Sequence, residues 1–207
     1  MPSQKTKRIF ISAIGRDNPV FYQVLGICST LAVTNVLKNT VVMCLGVIFV
    51  LACSNLTVSL IRKVLPNRIR MMVETLIIAS YVIIVDIVIK AYLPGISRQL
   101  GPYVGLIITN CIIMGRAEAF GLTNPPRLAF LDGIAAGVGY SYVLLIIAFV
   151  RELMGSGTIW GYTIPWFSEH WTNWSIMVMA PGAFFALAIL IWIIKGRILP
   201  AQEEDSK

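Results

Sequence analysis

Apolar residues are gathered into six runs along the chain: Val20 to Leu37, Thr40 to Ile61, Met71 to Leu93, Leu100 to Met114, Phe130 to Val150 and Ile176 to Ile194. Charged residues, glycines or prolines separate them. A helix needs roughly 20 apolar residues to cross a bilayer core, so the pattern predicts six membrane-spanning segments. All six are expected to be helices, because a lipid-exposed strand leaves its backbone polar groups unpaired. Stretches such as Val82-Ile83-Ile84-Val85 and Leu144-Leu145-Ile146-Ile147 also lack the alternation of a barrel strand.

Two runs are abnormal. The first carries Gln23, Gly26, Ser29, Thr30, Thr34 and Asn35, and the fourth is short and carries Gly101, Pro102, Gly105, Thr109 and Asn110. Such segments suit places where backbone is buried in protein or lines a polar cavity. Broken helices at matching places in two halves point to an inverted repeat. Pro19 precedes Cys28 by nine residues and Pro102 precedes Cys111 by nine, so one offset of 83 superposes both pairs. The second and fifth runs end alike, in Leu60-Ile61-Arg62-Lys63 and Phe149-Val150-Arg151-Glu152, at a slightly larger offset that a loop insertion explains. The expected fold is an all-α membrane protein, a single domain over residues 1–207. It has six transmembrane helices in two inverted three-helix repeats, about 18–95 and 100–195, with broken first and fourth helices and short cytoplasmic tails.

Composition agrees. The chain is 57% hydrophobic and 13% charged, too few polar residues to clothe a soluble domain. The excess of 17 Lys and Arg over 10 Asp and Glu is the bias of cytoplasmic loops. With the N-terminus inside, only Lys38, Lys90, Arg98 and Arg151 fall on the opposite side, so both termini are expected in the cytoplasm. No aromatic-interleaved basic stripe suggests nucleic acid. The basic N-terminal stretch is followed by no small-residue cleavage pattern, so it is expected to be retained.

Cys28 and Cys111 take equivalent places in the two broken spans, and inverted symmetry would bring them together near the membrane midplane. Shared metal ligation and simple burial as small hydrophobes both remain open for them. Cys44 and Cys53 have no mates in the other half and read as packing. Two thiolates complete neither an iron-sulfur cluster nor a tetrahedral zinc site, so further ligands would come from a second polypeptide. His170, beside Trp166, Trp171 and Trp174, reads as an interfacial residue of an aromatic belt. Asp86 and Lys90 share one helix face, either as an intramembrane functional pair or as a structural pair with Lys90 snorkelling. Glu74, near Arg68 and Arg70, reads as an interfacial partner. Arg116, Glu118 and Asp132 flank the broken fourth span, where they hold a re-entrant loop or recognise an ion or partner. Gly133, Gly137 and Gly139 permit close helix approach.

The stretches Val24-Leu25-Gly26-Ile27-Cys28-Ser29-Thr30 and Leu106-Ile107-Ile108-Thr109-Asn110-Cys111, continuing through Arg116-Ala117-Glu118, carry a resemblance. So do Val85-Asp86 with Lys90-Ala91-Tyr92, Leu131-Asp132-Gly133, Arg151-Glu152-Leu153 and Ala180-Pro181-Gly182. Together they resemble the D-subunit family of bacterial sodium-translocating NADH:quinone oxidoreductases, which is related to the Rnf electron-transport membrane subunits. The resemblance implies a bacterial inner-membrane protein that pairs with a homologous E subunit. It also implies a 2Fe-2S cluster on two cysteines from each, here Cys28 and Cys111, which relays electrons from the NADH-oxidising F subunit toward the flavin of the C subunit, coupled to sodium export. The A and B subunits complete the assembly, and NADH, FAD and FMN bind elsewhere. Ser29, Thr109 and Asn110 are available either as donors to the sulfur ligands or as caps of broken helix ends. An Rnf-type subunit, an ion-transporter half without a cofactor, in which Asp86 would bind the ion, and a cofactor-free scaffold stand as alternatives.

Overall fold

The structure, a computed structural model, describes residues 25–63, 65–66, 68–92, 94–156, 158–159, 162–163 and 179–198. His170 and its tryptophans, Pro19 and both chain termini lie outside the described residues. Helices account for most of the described chain: α1 Ile27–Val33, α2 Leu37–Ile61, α3 Arg70–Tyr92, α4 Pro94–Ile108, α5 Cys111–Arg116, α6 Pro126–Ser156 and α7 Ala180–Ile198. A π-helical turn, Ala117–Gly121, continues α5. Among the described residues, four stretches are long and apolar enough to cross a bilayer: Leu37–Ile61, Arg70–Tyr92, Tyr103–Gly121 and Pro126–Gly155. Of the six expected spans, the second, third and fifth are thus found as continuous helices.

The other three differ. In the region of the first span the described part is the seven-residue α1. The fourth starts earlier than expected, at Pro94, breaks at Thr109 and Asn110, and runs on to Gly121. The apolar part of α7, Pro181–Ile193, is shorter than a crossing. A small antiparallel ribbon pairs Thr158 with Thr163 and Ile159 with Tyr162 after α6, so the described chain is not wholly helical.

The turn between the first two spans also moves. The polar stretch Lys38-Asn39-Thr40, where the first apolar run gives way to the second, predicts the turn there, yet these residues lie in the first turn of α2, and the chain breaks at 34–36. The cause is hydrogen bonding that the local sequence does not advertise. Val36 is extended at φ −133°. Thr40 Oγ1 donates to the Val33 and Val36 carbonyls at 3.0 Å each, closing the break from the α2 side. From α6, the Glu152 carboxylate accepts the Leu37 N–H at 2.7 Å, and the Arg151 guanidinium donates to Thr34 Oγ1 and to the Leu31 carbonyl. Arg151 also reaches the Met179 carbonyl at 3.3 Å, which ties in the start of α7.

A reciprocal clamp stands at the end of α2. Arg62 Nη1 and Ser59 Oγ both donate to the Asn124 carbonyl, at 2.8 and 2.7 Å, in the link that leads into α6. Each of α2 and α6 therefore carries, at or near its C-terminal end, an arginine that holds the link feeding the other. Leu37 follows Cys28 by nine residues whereas Pro126 follows Cys111 by 15, and the π turn with its link occupies the additional length.

The core lies where α2 and α6 cross, with Val47, Leu51, Ile112, Tyr140 and Leu144 buried there. Glycine sets the spacing. A Cβ on Gly133 would meet the Ala52 Cα at 2.9 Å and the Leu51 carbonyl at 3.0 Å, and one on Gly137 would meet the Ile48 Cα at 3.1 Å. This is the small-residue contact that lets two membrane helices approach. Gly133→Val should force the pair apart at a cost of about 1–3 kcal/mol, read as a lower melting temperature of the detergent-solubilised protein. Gly196→Ala, where a Cβ meets nothing within 4 Å, should leave that temperature unchanged.

On α3 the residues Leu76, Ile83, Ile84, Ile87 and Val88 are exposed while Glu74, Ile78 and Val82 are buried. The outward face is apolar, as lipid or a neighbouring protein requires.

Candidate functional site

Two helix starts meet beside the buried Tyr140 of α6. Gly26 precedes α1 with φ 86°, in the left-handed region that glycine enters without strain, and turns the chain so that Cys28 falls in the first helical turn. A Cβ on Gly26 would lie 2.7 Å from Tyr140 Cε2, so a side chain is excluded on two counts. The Gly26 carbonyl accepts the hydroxyls of Ser29 and Thr30 at 3.0 and 2.8 Å. The second start is built differently. Asn110 is extended and its Oδ1 accepts the Ile112 N–H at 3.2 Å, an N-cap that begins α5 at Cys111.

These two starts, 83 residues apart in sequence, bring the Cys28 and Cys111 thiols close enough to interact with one another. Cys28 is exposed and Cys111 half-buried, and all four cysteines are free thiols. Beneath the thiols lies a buried polar node. Tyr140 OH hydrogen-bonds Ser29 Oγ, and Asn110 Nδ2 stands 3.5 Å from both of these oxygens. Ser29, Asn110 and Tyr140 are all buried. Tyr140 stands 14 residues from the start of α6 and 16 from its end, or about 21 and 24 Å at the usual helical rise, so the node is close to mid-helix.

Two cysteines remain two ligands. Among the described residues no group of three or more His, Cys, Asp or Glu stands together to hold a metal ion. The exposure of Cys28 places the pair at a surface, where a second protein can add ligands.

Cys44 and Cys53 belong to a different setting. Cys44 is buried in α2, with its thiol 3.9 Å from the Ser141 carbonyl, and Cys53 is half-buried on the same helix.

A family model described as "Rnf-Nqr subunit, membrane protein" matches residues 6–191. The chain belongs to this Rnf-Nqr family. Three relatives are each named as the D subunit of a Na(+)-translocating NADH-quinone reductase. That of Pasteurella multocida is 47% identical over 200 residues, covering 93% of this chain and 94% of its own. That of Photobacterium profundum is 46% identical over 209 residues, covering 98% and 97%. That of Haemophilus influenzae is 48% identical over 193 residues, covering 90% and 91%.

Several charged residues of this Rnf-Nqr protein form ion pairs. Arg116 grips Asp132 with both Nε and Nη2, the Nε contact being 3.1 Å, and its guanidinium lies 5.7 Å from the Phe120 ring centroid. Glu118 pairs with Arg70 across from α3. Glu74, one turn from Arg70 and within reach of its charge, is turned inward with Ile78 and Val82 and buried at 1% exposure. Lys90 does pair with Asp86, one turn apart, and its ammonium is well exposed. Asp86→Asn should therefore change the melting temperature of the solubilised protein little, in line with the roughly 0.3–0.5 kcal/mol of such helix pairs.

Sequence reasoning located both cysteines and the Asn110 break. It missed Tyr140, which lies in an ordinary apolar run, and the buried clamp of Arg151 and Glu152. For the clamp a signal existed: an adjacent Arg and Glu at the end of an apolar run, matching Arg62 in the other half.

Proposed function

We propose that this chain is the D subunit of a sodium-translocating NADH-quinone reductase, an inner-membrane electron-transfer component without catalysis of its own. With a homologous E subunit it holds a 2Fe-2S centre on Cys28 and Cys111, on the path from the NADH-oxidising F subunit to the flavin of the C subunit, coupled to sodium export. The name of its relatives supports membership of such a complex. The observation that carries the cofactor is the meeting of two thiols from chain-distant helix starts at a surface.

The donor set fits half of such a centre. Thiolates are the usual ligands of iron-sulfur clusters, which ask for four, and a pair exposed at Cys28, with no further ligand beside it among the described residues, suits a cluster completed across a protein interface. When bound, the centre supplies one-electron transfer at a potential tuned by hydrogen bonds to sulfur and by solvent exposure. The chain's own residues supply the rest. Gly26 and Asn110 set the two helix starts, Tyr140 and Ser29 join them, and the core around Ile112 and Leu144 keeps water from the inner side of the site.

The same reading includes six membrane spans in two inverted repeats, with both termini cytoplasmic. The reciprocal clamps of Arg62 on Asn124 and of Arg151 on the Thr34 turn support it, since a two-fold relation between the halves makes each arginine the counterpart of the other. Iron and acid-labile sulfide measured on the purified complex test the redox assignment, because a transporter half or a scaffold requires neither. A complex with no iron beyond that of its other components would overturn it.

A further inference from the structure

We infer that Tyr140 is the positioning residue of the thiol pair: its hydroxyl is the node that fixes how far apart the Cys28 and Cys111 turns stand. The inference rests on the proposed cofactor only for what that spacing serves.

Three observations converge on this residue. Its hydroxyl is the only side-chain group among the described residues that bonds the Cys28 turn, through Ser29 Oγ, while also lying 3.5 Å from Asn110 Nδ2 of the Cys111 turn. Its ring fills the space that Gly26 leaves open, with Cε2 at 2.7 Å from where a Cβ would stand, so ring and glycine set the height of α1 together. Finally, Tyr140 is fully buried on α6, an element that belongs to neither thiol-bearing turn and packs along α2. A buried hydroxyl shared between two polar partners has no water to fall back on, so loss of the hydroxyl leaves Ser29 and Asn110 to each other at a 3.5 Å separation. The two starts then lose their common reference.

Tyr140→Phe tests this cleanly, because the ring that packs against Gly26 is retained and only the oxygen goes. In the intact complex, stripped of iron by chelator and reductant, a short bifunctional thiol reagent such as dibromobimane should link Cys28 to Cys111, with the joined peptides scored by mass spectrometry. Tyr140→Phe should slow that reaction about tenfold, the order of change expected from one lost net hydrogen bond. In the unstripped complex the variant should show a shifted midpoint potential and an altered electron paramagnetic resonance signal for the centre. Val58→Ala, which removes buried bulk on α2 near its C-terminal end, should lower thermal stability while leaving linkage rate and signal unchanged. A Tyr140→Phe complex that links at the wild-type rate overturns the inference, as does Val58→Ala slowing the linkage equally. If the wild-type complex holds no iron here but Tyr140→Phe still slows the linkage, the cofactor reading fails and the positioning role stands.

Discussion

Replacing Cys28 or Cys111 by serine should remove the iron and abolish NADH-driven quinone reduction by the complex. A cluster held by four thiolates loses both charge balance and geometry when one ligand becomes a neutral hydroxyl. The two positions are predicted to be equal in effect, since each supplies one ligand from one helix start. NADH oxidation with an artificial acceptor that takes electrons from the F subunit should survive, because under the proposed order that chemistry precedes this chain. Cys44→Ala and Cys53→Ala form the contrast. Cys44 is buried in the α2 core and Cys53 half-buried, so each is expected to behave as a small packing change of about 1 kcal/mol with full iron. Iron analysis, quinone reductase activity and artificial-acceptor activity on the four variants separate the two classes. A Cys28→Ser complex with full iron and normal quinone reduction would refute its role as a ligand.

The thiol pair was legible in the sequence because spacing survives where identity does not. The nine-residue interval from proline to cysteine, repeated at an offset of 83, placed Cys28 and Cys111 at equivalent points, and the structure brings them together. Asn110 was legible too, as a strong N-cap residue inside an apolar run. The remainder depends on contacts across the fold. Whether the chain turns at Lys38-Asn39-Thr40 or at Thr34-Asn35-Val36 is decided by Arg151 and Glu152, more than a hundred residues away, which satisfy the polar groups of the earlier turn. Tyr140 sits among Gly139, Ser141 and Tyr142 with no periodicity to mark it, and its role exists only because α6 passes beneath both cysteine turns. The place of Glu74 near Arg70 was legible, but its face was not: it is the face with Ile78 and Val82, which only the packing of α3 decides.

The same reasoning makes Asp132 a charged position of large consequence for stability. It lies on α6 near the glycines that pack against α2, with its side chain 1% exposed, and Arg116 at 16% exposure meets it through two nitrogens. Such a bidentate pair is held in a fixed plane, and it joins the end of α5 to the start of α6 on either side of the π turn and its link. Asp132→Ala leaves a largely buried guanidinium with no counter-charge, and removal of one partner of a buried pair costs about 3–5 kcal/mol. The expected result is a marked fall in melting temperature and in the amount of this protein incorporated into the complex. Removing both charges should be far milder: with Arg116→Met and Asp132→Leu together, no ion is stranded and apolar bulk is retained, so most of the lost stability should return. That recovery separates the cost of a stranded charge from a need for the pair itself. If the double variant is as unstable as Asp132→Ala, the pair is required for the geometry of the π turn rather than for charge neutralisation. If Asp132→Ala alone melts at the wild-type temperature, Arg116 has found another partner, and the pair does not hold α5 to α6.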